Sequence, residues 1–172
     1  APWIAAPEPV AGTLRQWGRE DFPVSVFRRR FEIQQVPAFA PLRVRALRAF
    51  RVLVNEVPVA GAASDGSRWR ETRELDLAPF LVPGANELEV EIENPIGPSL
   101  LSLRLDGIEP PLVSDRDWRV SVDGGAPRSA ELADDTQRSA VGSVRFEDHA
   151  IDPGLFVRQR GLHRLDRRAE QI

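Results

Sequence analysis

The residues best suited to binding chemistry in this sequence are tryptophans flanked by arginines. Trp69 stands between Arg68 and Arg70, shortly after Asp65 in a run of small and polar residues that is typical of a loop. An indole ring in a loop can stack on the apolar face of a sugar, and arginine and aspartate side chains can bind its hydroxyl groups through paired hydrogen bonds. These four residues are therefore candidate ligand-binding residues.

A second candidate of the same kind is Trp17, which is flanked by Arg15 and Arg19. The alternative interpretation is that these tryptophans belong to the core, because a large aromatic side chain in a β-rich domain contributes most when it is buried. Tyrosine, which is enriched in binding surfaces, is absent from the chain. Both interpretations stay open at this point.

Four alternating glutamates raise the question of catalysis. Hydrolysis of a glycosidic bond needs two carboxyl groups about 5–10 Å apart across a cleft. The four residues are Glu87, Glu89, Glu91 and Glu93. They share one face of a predicted strand whose other face is apolar. This pattern indicates a strongly solvated surface, and the sequence predicts no catalytic pair.

Metal and nucleophile chemistry have weak support. Asp115 with Asp117, and the Asp134-Asp135 pair, could join a structural calcium site, but calcium needs six to eight oxygen ligands from several segments. Solvated loop carboxylates are the preferred interpretation, and no cofactor is expected. His149 and His163 lack partners at the spacing of a zinc site or a Ser-His-Asp triad.

The composition indicates one globular domain. Hydrophobic residues make up 42% and charged residues 28% of 172 residues, which is ordinary for a soluble domain. The formal net charge of −3 gives no basic excess for nucleic acid, and no apolar stretch is long enough to span a membrane. The chain lacks cysteine and does not begin with methionine. We expect a segment of a longer polypeptide.

Apolar residues recur with a period of two between short turn signals, which predicts strands. In the first strand, Phe27, Phe31 and Ile33 share one face and only Arg29 interrupts the alternation. Turns are predicted at Asn55-Glu56 and after Val122. The predicted strands cover residues 24–33, 42–46, 50–54, 57–59, 88–92, 101–105 and 118–122, and a weaker one lies at 141–146.

The succession of short alternating strands and turns predicts an all-β fold. We expect a two-sheet antiparallel β-sandwich of the jelly-roll type with few short helices. Residues 1–150 are assigned to the sandwich. Residues 151–172 are assigned to an extension or linker that begins at Asp152-Pro153, a typical start of a short helix. A further capped turn is expected after Asp76, followed by a reversal at residues 83–86.

Several segments, in their order along the chain, carry a resemblance to a known family. Residues 75–88 are similar to the motif Asp-Leu-Thr-Pro-Tyr-Leu followed by Pro-Gly-Xaa-Asn, and residues 50–55 resemble a strand that ends in Val-Asn-Gly, with Glu56 in place of the glycine. Trp3-Ile4, residues 27–32 and residues 117–121 also match. The family is that of galactose-binding-like β-sandwich domains in glycoside hydrolases, especially of the α-L-rhamnosidase and β-galactosidase types.

The resemblance covers about two thirds of the chain and implies a packed Trp3 and Trp118, with catalytic acids located in a separate barrel domain. It therefore implies a non-catalytic, carbohydrate-associated accessory domain of an exported or membrane-anchored bacterial protein, with weak glycan binding and an extracytoplasmic location. The alternative is a structural module that packs on a flanking domain and binds no sugar. A free-standing hydrolase is a third hypothesis, and it lacks a candidate acid pair.

Overall fold

The computed structural model describes residues 1–7, 24–59, 61, 64–65, 71–94 and 99–134. The boundary near residue 150, the strand at 141–146 and the helix or tail after residue 151 lie outside these ranges and stay predictions. Within the described residues, no helix is long and apolar enough to cross a membrane.

The described residues form two antiparallel sheets. The strands are β1 (Ile4–Ala5), β2 (Val24–Ile33), β3 (Pro41–Ala46), β4 (Ala49–Val54), β5 (Val57–Pro58), β6 (Ser64–Asp65), β7 (Arg73–Asp76), β8 (Gly84–Glu93), β9 (Leu100–Leu105), β10 (Leu112–Val113), β11 (Arg119–Val122), β12 (Arg128–Ser129) and β13 (Glu131–Leu132). The first sheet has the order β13-β1-β9-β3-β7, with β10 beside β9. The second has the order β12-β11-β2-β8-β4-β5, with β6 beside β4.

The long strands alternate between the two sheets. β2, β4 and β8 belong to the second sheet, whereas β3, β7 and β9, which come between or after them in the chain, belong to the first. This crossing at nearly every connection is the pattern of a jelly roll. The predicted two-sheet antiparallel sandwich is confirmed.

The core lies between the sheets and is built from the alternate apolar residues that the sequence pattern indicates. Phe27, Val90 and Leu103 are at most 1% exposed. Full burial of each such side chain contributes about 1.5–3 kcal/mol. Trp118 is completely buried, and its Nε1 donates a hydrogen bond of 2.9 Å to the Val113 carbonyl oxygen. The prediction that Trp118 is packed is confirmed.

Arg29, which interrupts the alternation in β2, has a structural explanation. It lies opposite Leu88 in the pairing of β2 with β8, on the core side of the strand. Its guanidinium binds two carboxylates before β11, at 3.0 Å to Asp117 and 3.5 Å to Asp115. A charged group on that side is tolerated because these carboxylates neutralise it at the margin of the sandwich.

The turn at Asn55-Glu56 is present, with positive φ of 50° and 68°, as a two-residue hairpin of this type requires. Asn55 Nδ2 donates to Asn86 Oδ1 at 3.0 Å, and Asn55 Oδ1 accepts from the Glu87 amide at 2.9 Å. Asn86 is buried and also binds both the amide and the carbonyl of Val82. The two asparagines of the family-like motifs thus join the hairpin to the start of β8.

Three local predictions need correction: the cap at Asp76, the reversal at residues 83–86 and the loop at residues 61–67. Asp76 is the last residue of β7, and the 3-10 helix Ala78–Phe80 has Leu77 as its N-cap. The Asp76 carboxylate still accepts the Ala78 amide at 3.0 Å, and it also accepts the Ala40 amide at 2.9 Å. β8 begins already at Gly84 because its first residues pair with the end of β2.

The predicted loop at residues 61–67 contains the short strand β6, whose backbone pairs with β4. Pairing with a neighbouring strand overrides the small and polar composition of this segment.

A small apolar cluster covers the outer face of the first sheet. Ala5, Leu47, Leu100 and Ala133 are buried there, and Trp3 packs against them. The Arg45 guanidinium carbon lies 5.3 Å from the centroid of the Trp3 ring, a cation–π distance. The prediction that Trp3 is packed is confirmed, although its partners belong to this outer cluster.

Candidate functional site

The outer face of the second sheet is an array of alternating arginines and glutamates. Strand register places Arg28 opposite Glu89 and Arg30 opposite Glu87, because β2 and β8 both alternate charged and apolar residues. Opposite charges directly across antiparallel strands stabilise the pairing. The charged halves of both strands therefore meet on one face while the apolar halves fill the core.

The glutamates of β8 are held by arginines of the neighbouring strands. Arg28 Nε donates to Glu89 at 2.6 Å, and Arg30 Nε donates to Glu87 at 2.7 Å. The expectation of a strongly solvated surface needs correction, since these carboxyl-bearing side chains are only 18% and 29% exposed. The Arg side chains lie over them and shield them from water.

The same pattern continues on the other side of β8. Arg51 of β4 binds Glu91 through both Nε, at 2.8 Å, and Nη2. Arg28, Arg30 and Arg51 are thus each oriented by a glutamate of β8, and adjacent pairs of this kind hold side chains more firmly than isolated surface pairs do.

A depression with a volume of about 350 Å³ opens over β11, β2 and the start of β8. We call it the arginine groove, and its lining is Arg28, Arg29, Arg30, Glu87, Asp117, Arg119, Ser121 and Pro127. Its volume lies near the lower end of the range of small-ligand pockets, which is about 300–1,000 Å³. Strands supply most of the lining, so the groove has a rigid floor.

The charged side chains of the groove differ in the salt-bridge and hydrogen-bond partners that they already have. Both lining carboxylates are held by arginines, Glu87 by Arg30 and Asp117 by Arg29. Arg119 has a neutral partner, since its Nη1 donates to Ser129 Oγ at 3.0 Å. The arrangement can offer guanidinium donors to a ligand, with the Arg119 charge the least compensated.

A second depression, of about 390 Å³, lies beside β11 and the turn that follows it, and it has a largely apolar lining that includes Val120, Val122 and Ala126. Its polar side chains are Asp123 and Arg128. Asp123 Oδ1 accepts the Val24 amide at 3.0 Å, and Arg128 donates to the Pro7 carbonyl at 3.2 Å. These contacts tie adjacent chain segments together, which is a structural role.

The Arg104–Asp106 pair on the first sheet shows the clearest electrostatic perturbation. Arg104 Nε donates to Asp106 Oδ1 at 2.8 Å, and this hydrogen bond lowers the pKa of the Asp106 carboxyl below its usual 3.8. The same bond raises the pKa of Arg104. Arg104 is exposed and Asp106 is half-buried. Both stay charged at neutral pH, so the pair does not serve as a proton donor or acceptor.

The residues proposed from the sequence are only partly covered by the structure. Trp69, Arg68, Arg70 and Trp17 lie outside the described residues. The backbone of Asp65 lies in β6 opposite Ala49, on the far side of β4 from the arginine groove. Their role in binding stays a prediction.

The arginine groove was missed at the sequence level, although the signal was present. Arg29 was interpreted only as an interruption of the alternation in the first strand, and the alternating glutamates of β8 were assigned to a solvated face. What sequence inspection lacked was the register between β2, β8 and β11, which brings Arg119 into line with Arg28. Pairing between strands far apart in the chain is a tertiary property.

The carboxylates considered for calcium have other partners. Asp115 and Asp117 both bind Arg29, and Asp115 Oδ1 also accepts the Asp117 amide at 2.9 Å. In the part of the chain that the structure describes, no group of three acidic or histidine side chains could hold a metal ion. Asp135, His149 and His163 lie outside that part.

The fold has clear counterparts among solved structures. The α-L-rhamnosidase of Streptomyces avermitilis, solved with L-rhamnose, matches 77% of this chain with a TM-score of 0.52 and 23% identity. The GH78 rhamnosidase of Bacillus sp. GL1 matches 86% of it with a TM-score of 0.54 and 20% identity. The chain has the galactose-binding-like β-sandwich fold.

This galactose-binding-like sandwich also matches a lectin from Pleurotus ostreatus solved with GalNAc, over 77% of this chain and 42% of the lectin, with a TM-score of 0.50 and 17% identity. The chain spans only 16–21% of the rhamnosidases. No protein-family model matches it, and no curated protein matches it significantly. At these identities the likeness establishes the fold, and the matched region is a small part of each rhamnosidase.

Proposed function

We propose that this chain is a non-catalytic accessory domain of a larger carbohydrate-active protein and that it binds a glycan weakly. The observation that carries the proposal is the shared sandwich fold, which occurs as 16–21% of the length of α-L-rhamnosidases and also in a lectin solved with GalNAc. One fold hosts many functions, so the support comes from this context together with a groove able to receive a ligand.

The non-catalytic part of the proposal is supported by the state of the groove carboxylates. A general acid must hold a proton and present it to the leaving group. Glu87 and Asp117 instead accept hydrogen bonds from Arg30 and Arg29 at 2.7 and 3.0 Å. Turnover of an aryl α-L-rhamnoside by the purified chain, at rates well above the uncatalysed reaction, would contradict this part.

Glycan binding is tested on the 172-residue chain with a glycan array, followed by calorimetry on the hits. We expect dissociation constants between about 10 μM and 1 mM, because a small, open groove buries little ligand surface. A β-sandwich protein that lacks such a groove serves as the negative control on the array. Uniform absence of binding across hexose, rhamnose and uronic-acid ligands would overturn this part of the proposal.

The tryptophan-centred site proposed from the sequence is tested separately. Replacement of Trp69 by Ala is expected to weaken glycan binding about 10-fold or more if its ring stacks on a sugar, since stacking contacts contribute about 1–3 kcal/mol. The matched variant is Trp17→Ala at the second candidate. Unchanged affinity in both variants would remove these residues, with Arg68, Arg70 and Asp65, from the binding site.

A structural module that binds a flanking domain is the second candidate, and a specific observation favours it. Phe39, Val57 and Val82 are 57%, 51% and 47% exposed. They lie near the start of β3, the start of β8 and the β4–β5 hairpin, which hydrogen bonds from Ala40 to Asp76 and from Asn55 to Phe80 bring to the same end of the sandwich. Size-exclusion chromatography of the chain with its neighbouring domain would show a complex that a Phe39→Ser variant weakens.

The proposed role places the protein outside the cytoplasm, in the periplasm or the medium or attached to a membrane. Glycan polymers are processed there, which is the reason for the assignment. Immunodetection in cell fractions of the native host tests it, and recovery of the protein in the cytoplasmic fraction alone would contradict it.

A further inference from the structure

The arginine groove offers a ligand many hydrogen-bond donors and few free acceptors. A guanidinium has five N–H donors and no acceptor. Four arginines line the groove, whereas its two carboxylates, Glu87 and Asp117, are already bound by Arg30 and Arg29. The ligand that fits this lining is one that supplies acceptors and negative charge.

Arg119 is the charge that the protein itself leaves least compensated. Strand register places it directly opposite Arg28 in the pairing of β11 with β2. Like charges directly opposite on antiparallel strands destabilise the pairing. Arg28 has Glu89 at 2.6 Å, but among the described residues no carboxylate lies within ion-pair distance of Arg119, which donates to the hydroxyl of Ser129.

The guanidinium of Arg28 is also oriented before a ligand arrives. Its Nε is bound to Glu89 at 2.6 Å, and its Nη1 reaches Ser121 Oγ at 3.4 Å, a long and weak contact. This geometry fixes the plane of the guanidinium and leaves its Nη2 group available to a ligand. A preformed guanidinium loses less entropy on binding than a mobile one does.

We infer that the arginine groove binds a carboxylate-bearing saccharide, a uronic-acid residue, with the carboxylate seated between Arg28 and Arg119. This inference rests on the proposed glycan-binding function and names its ligand class. The planar carboxylate matches the paired N–H donors of a guanidinium and offsets the repulsion between the two arginines. A neutral sugar fits less well, because it cannot neutralise the Arg119 charge, and the two groove carboxylates, Glu87 and Asp117, are ion-paired with other arginines.

The probes are trigalacturonic acid and its fully methyl-esterified form, titrated into the 172-residue chain by calorimetry. The two ligands share ring shape and hydroxyl groups and differ in charge. We expect the free acid to bind at least 10-fold more tightly than the ester. Its affinity should fall as salt rises from about 50 to 500 mM, since exposed charges are screened at high ionic strength.

The variant that addresses the site is Arg119→Gln, which removes the charge and keeps a polar side chain able to contact Ser129. We expect its affinity for trigalacturonate to fall about 10-fold. The matched control is Arg43→Gln on the first sheet, whose arginine pairs with Glu74 at 3.4 Å and is half-exposed. This control should bind like wild type, and equal melting temperatures show that both variants are folded.

Equal affinities for acid and ester, or an Arg119→Gln variant that binds as tightly as wild type, would overturn the inference. Binding of neutral glycans without any binding of trigalacturonate would overturn it as well and would leave the proposed glycan-binding function standing. Absence of binding to every acidic and neutral glycan would overturn both.

Discussion

At the scale of single residues, Glu56 carries backbone strain in the β4–β5 turn. Its φ is +68°, a conformation that costs a residue with a side chain about 1–2 kcal/mol. In the turn after β11 the corresponding residue is Gly124, at φ +73°. We expect Glu56→Gly to raise the free energy of unfolding by up to about 1 kcal/mol, because glycine's greater freedom in the unfolded chain offsets part of the relief.

Urea denaturation measures this difference. The control is Glu32→Gly in β2, where the strand conformation gives glycine no advantage and the variant should lose about 0.5–1 kcal/mol. A Glu56→Gly variant less stable than wild type would show that the Glu56 side chain contributes a compensating contact.

Asp106 provides a residue-level test of electrostatics. The hydrogen bond from Arg104 lowers the pKa of its carboxyl below 3.8. The pair therefore stabilises the folded chain above pH 3.8, and its contribution is lost as the pH falls through the lower folded-state pKa. In Arg104→Gln we expect the pKa of Asp106 to rise towards 3.8, as measured by carboxyl-carbon NMR titration.

Arg30→Gln, on the other sheet, is the control and should leave the pKa of Asp106 unchanged. An Asp106 pKa that stays low in Arg104→Gln would assign the effect to Arg43, whose Nη1 lies 3.7 Å from the same carboxylate.

At the scale of elements, the contact between Asn55 and Asn86 joins the hairpin to the start of β8. Asn86 is buried and makes hydrogen bonds to Val82, Gly84 and Asn55. We expect Asn86→Ala to cost about 3 kcal/mol and Asn55→Ala about 2 kcal/mol, because several part-buried hydrogen bonds to the backbone are lost at once. The double variant should cost about 1 kcal/mol less than the sum, since the two side chains share one hydrogen bond.

Chemical denaturation of the three variants gives this coupling energy. Ser129→Ala, at an exposed edge position, is the control and should change stability by less than about 0.5 kcal/mol. Strict additivity of the two asparagine substitutions would contradict a shared network.

The loops at this end of the sandwich depend on a close backbone approach at Gly107. An added Cβ would lie 2.3 Å from the Phe39 carbonyl oxygen, and φ is +84°. We expect Gly107→Ala to lower the free energy of unfolding by about 3 kcal/mol or more, as steric overlap adds to backbone strain. Gly124→Ala has similar φ and open space around it, so it should lose only about 1–2 kcal/mol in the same thermal or urea measurement. Equal losses would mean that the Phe39 loop moves aside freely.

At the scale of the whole molecule, one core joins the two sheets and should make unfolding cooperative. Leu103 of β9 is 1% exposed within that core. We expect Leu103→Ala to cost about 3 kcal/mol and to shift the urea midpoints from circular dichroism and tryptophan fluorescence equally. Leu132→Ala, at a 45% exposed position, should shift neither by more than about 0.5 kcal/mol. Separate midpoints for the two probes would contradict a single cooperative unit.

The long strands were predictable because their signal is local. β2, β4, β8 and β9 repeat an apolar residue at every second position, with Arg29 of β2 as the exception, and the structure contains all four. The short strands β1, β10, β12 and β13 were not predicted, since two residues are too few to show a period and they form only by pairing with a neighbour. β7 was not predicted, because Asp76 and Pro79 in the same segment indicated a capped turn.

Alternation, turn residues and composition alone determined the sandwich class and the positive-φ turn at Asn55, because these depend on interactions between residues close in sequence. The burial of Trp118 was implied by the family resemblance. Only the tertiary structure decided that the glutamates of β8 are shielded by arginines and that Arg119 faces Arg28 across two strands. Register between distant strands is set by how both sheets close around one core, and a shift by one residue would have placed these charges inside it.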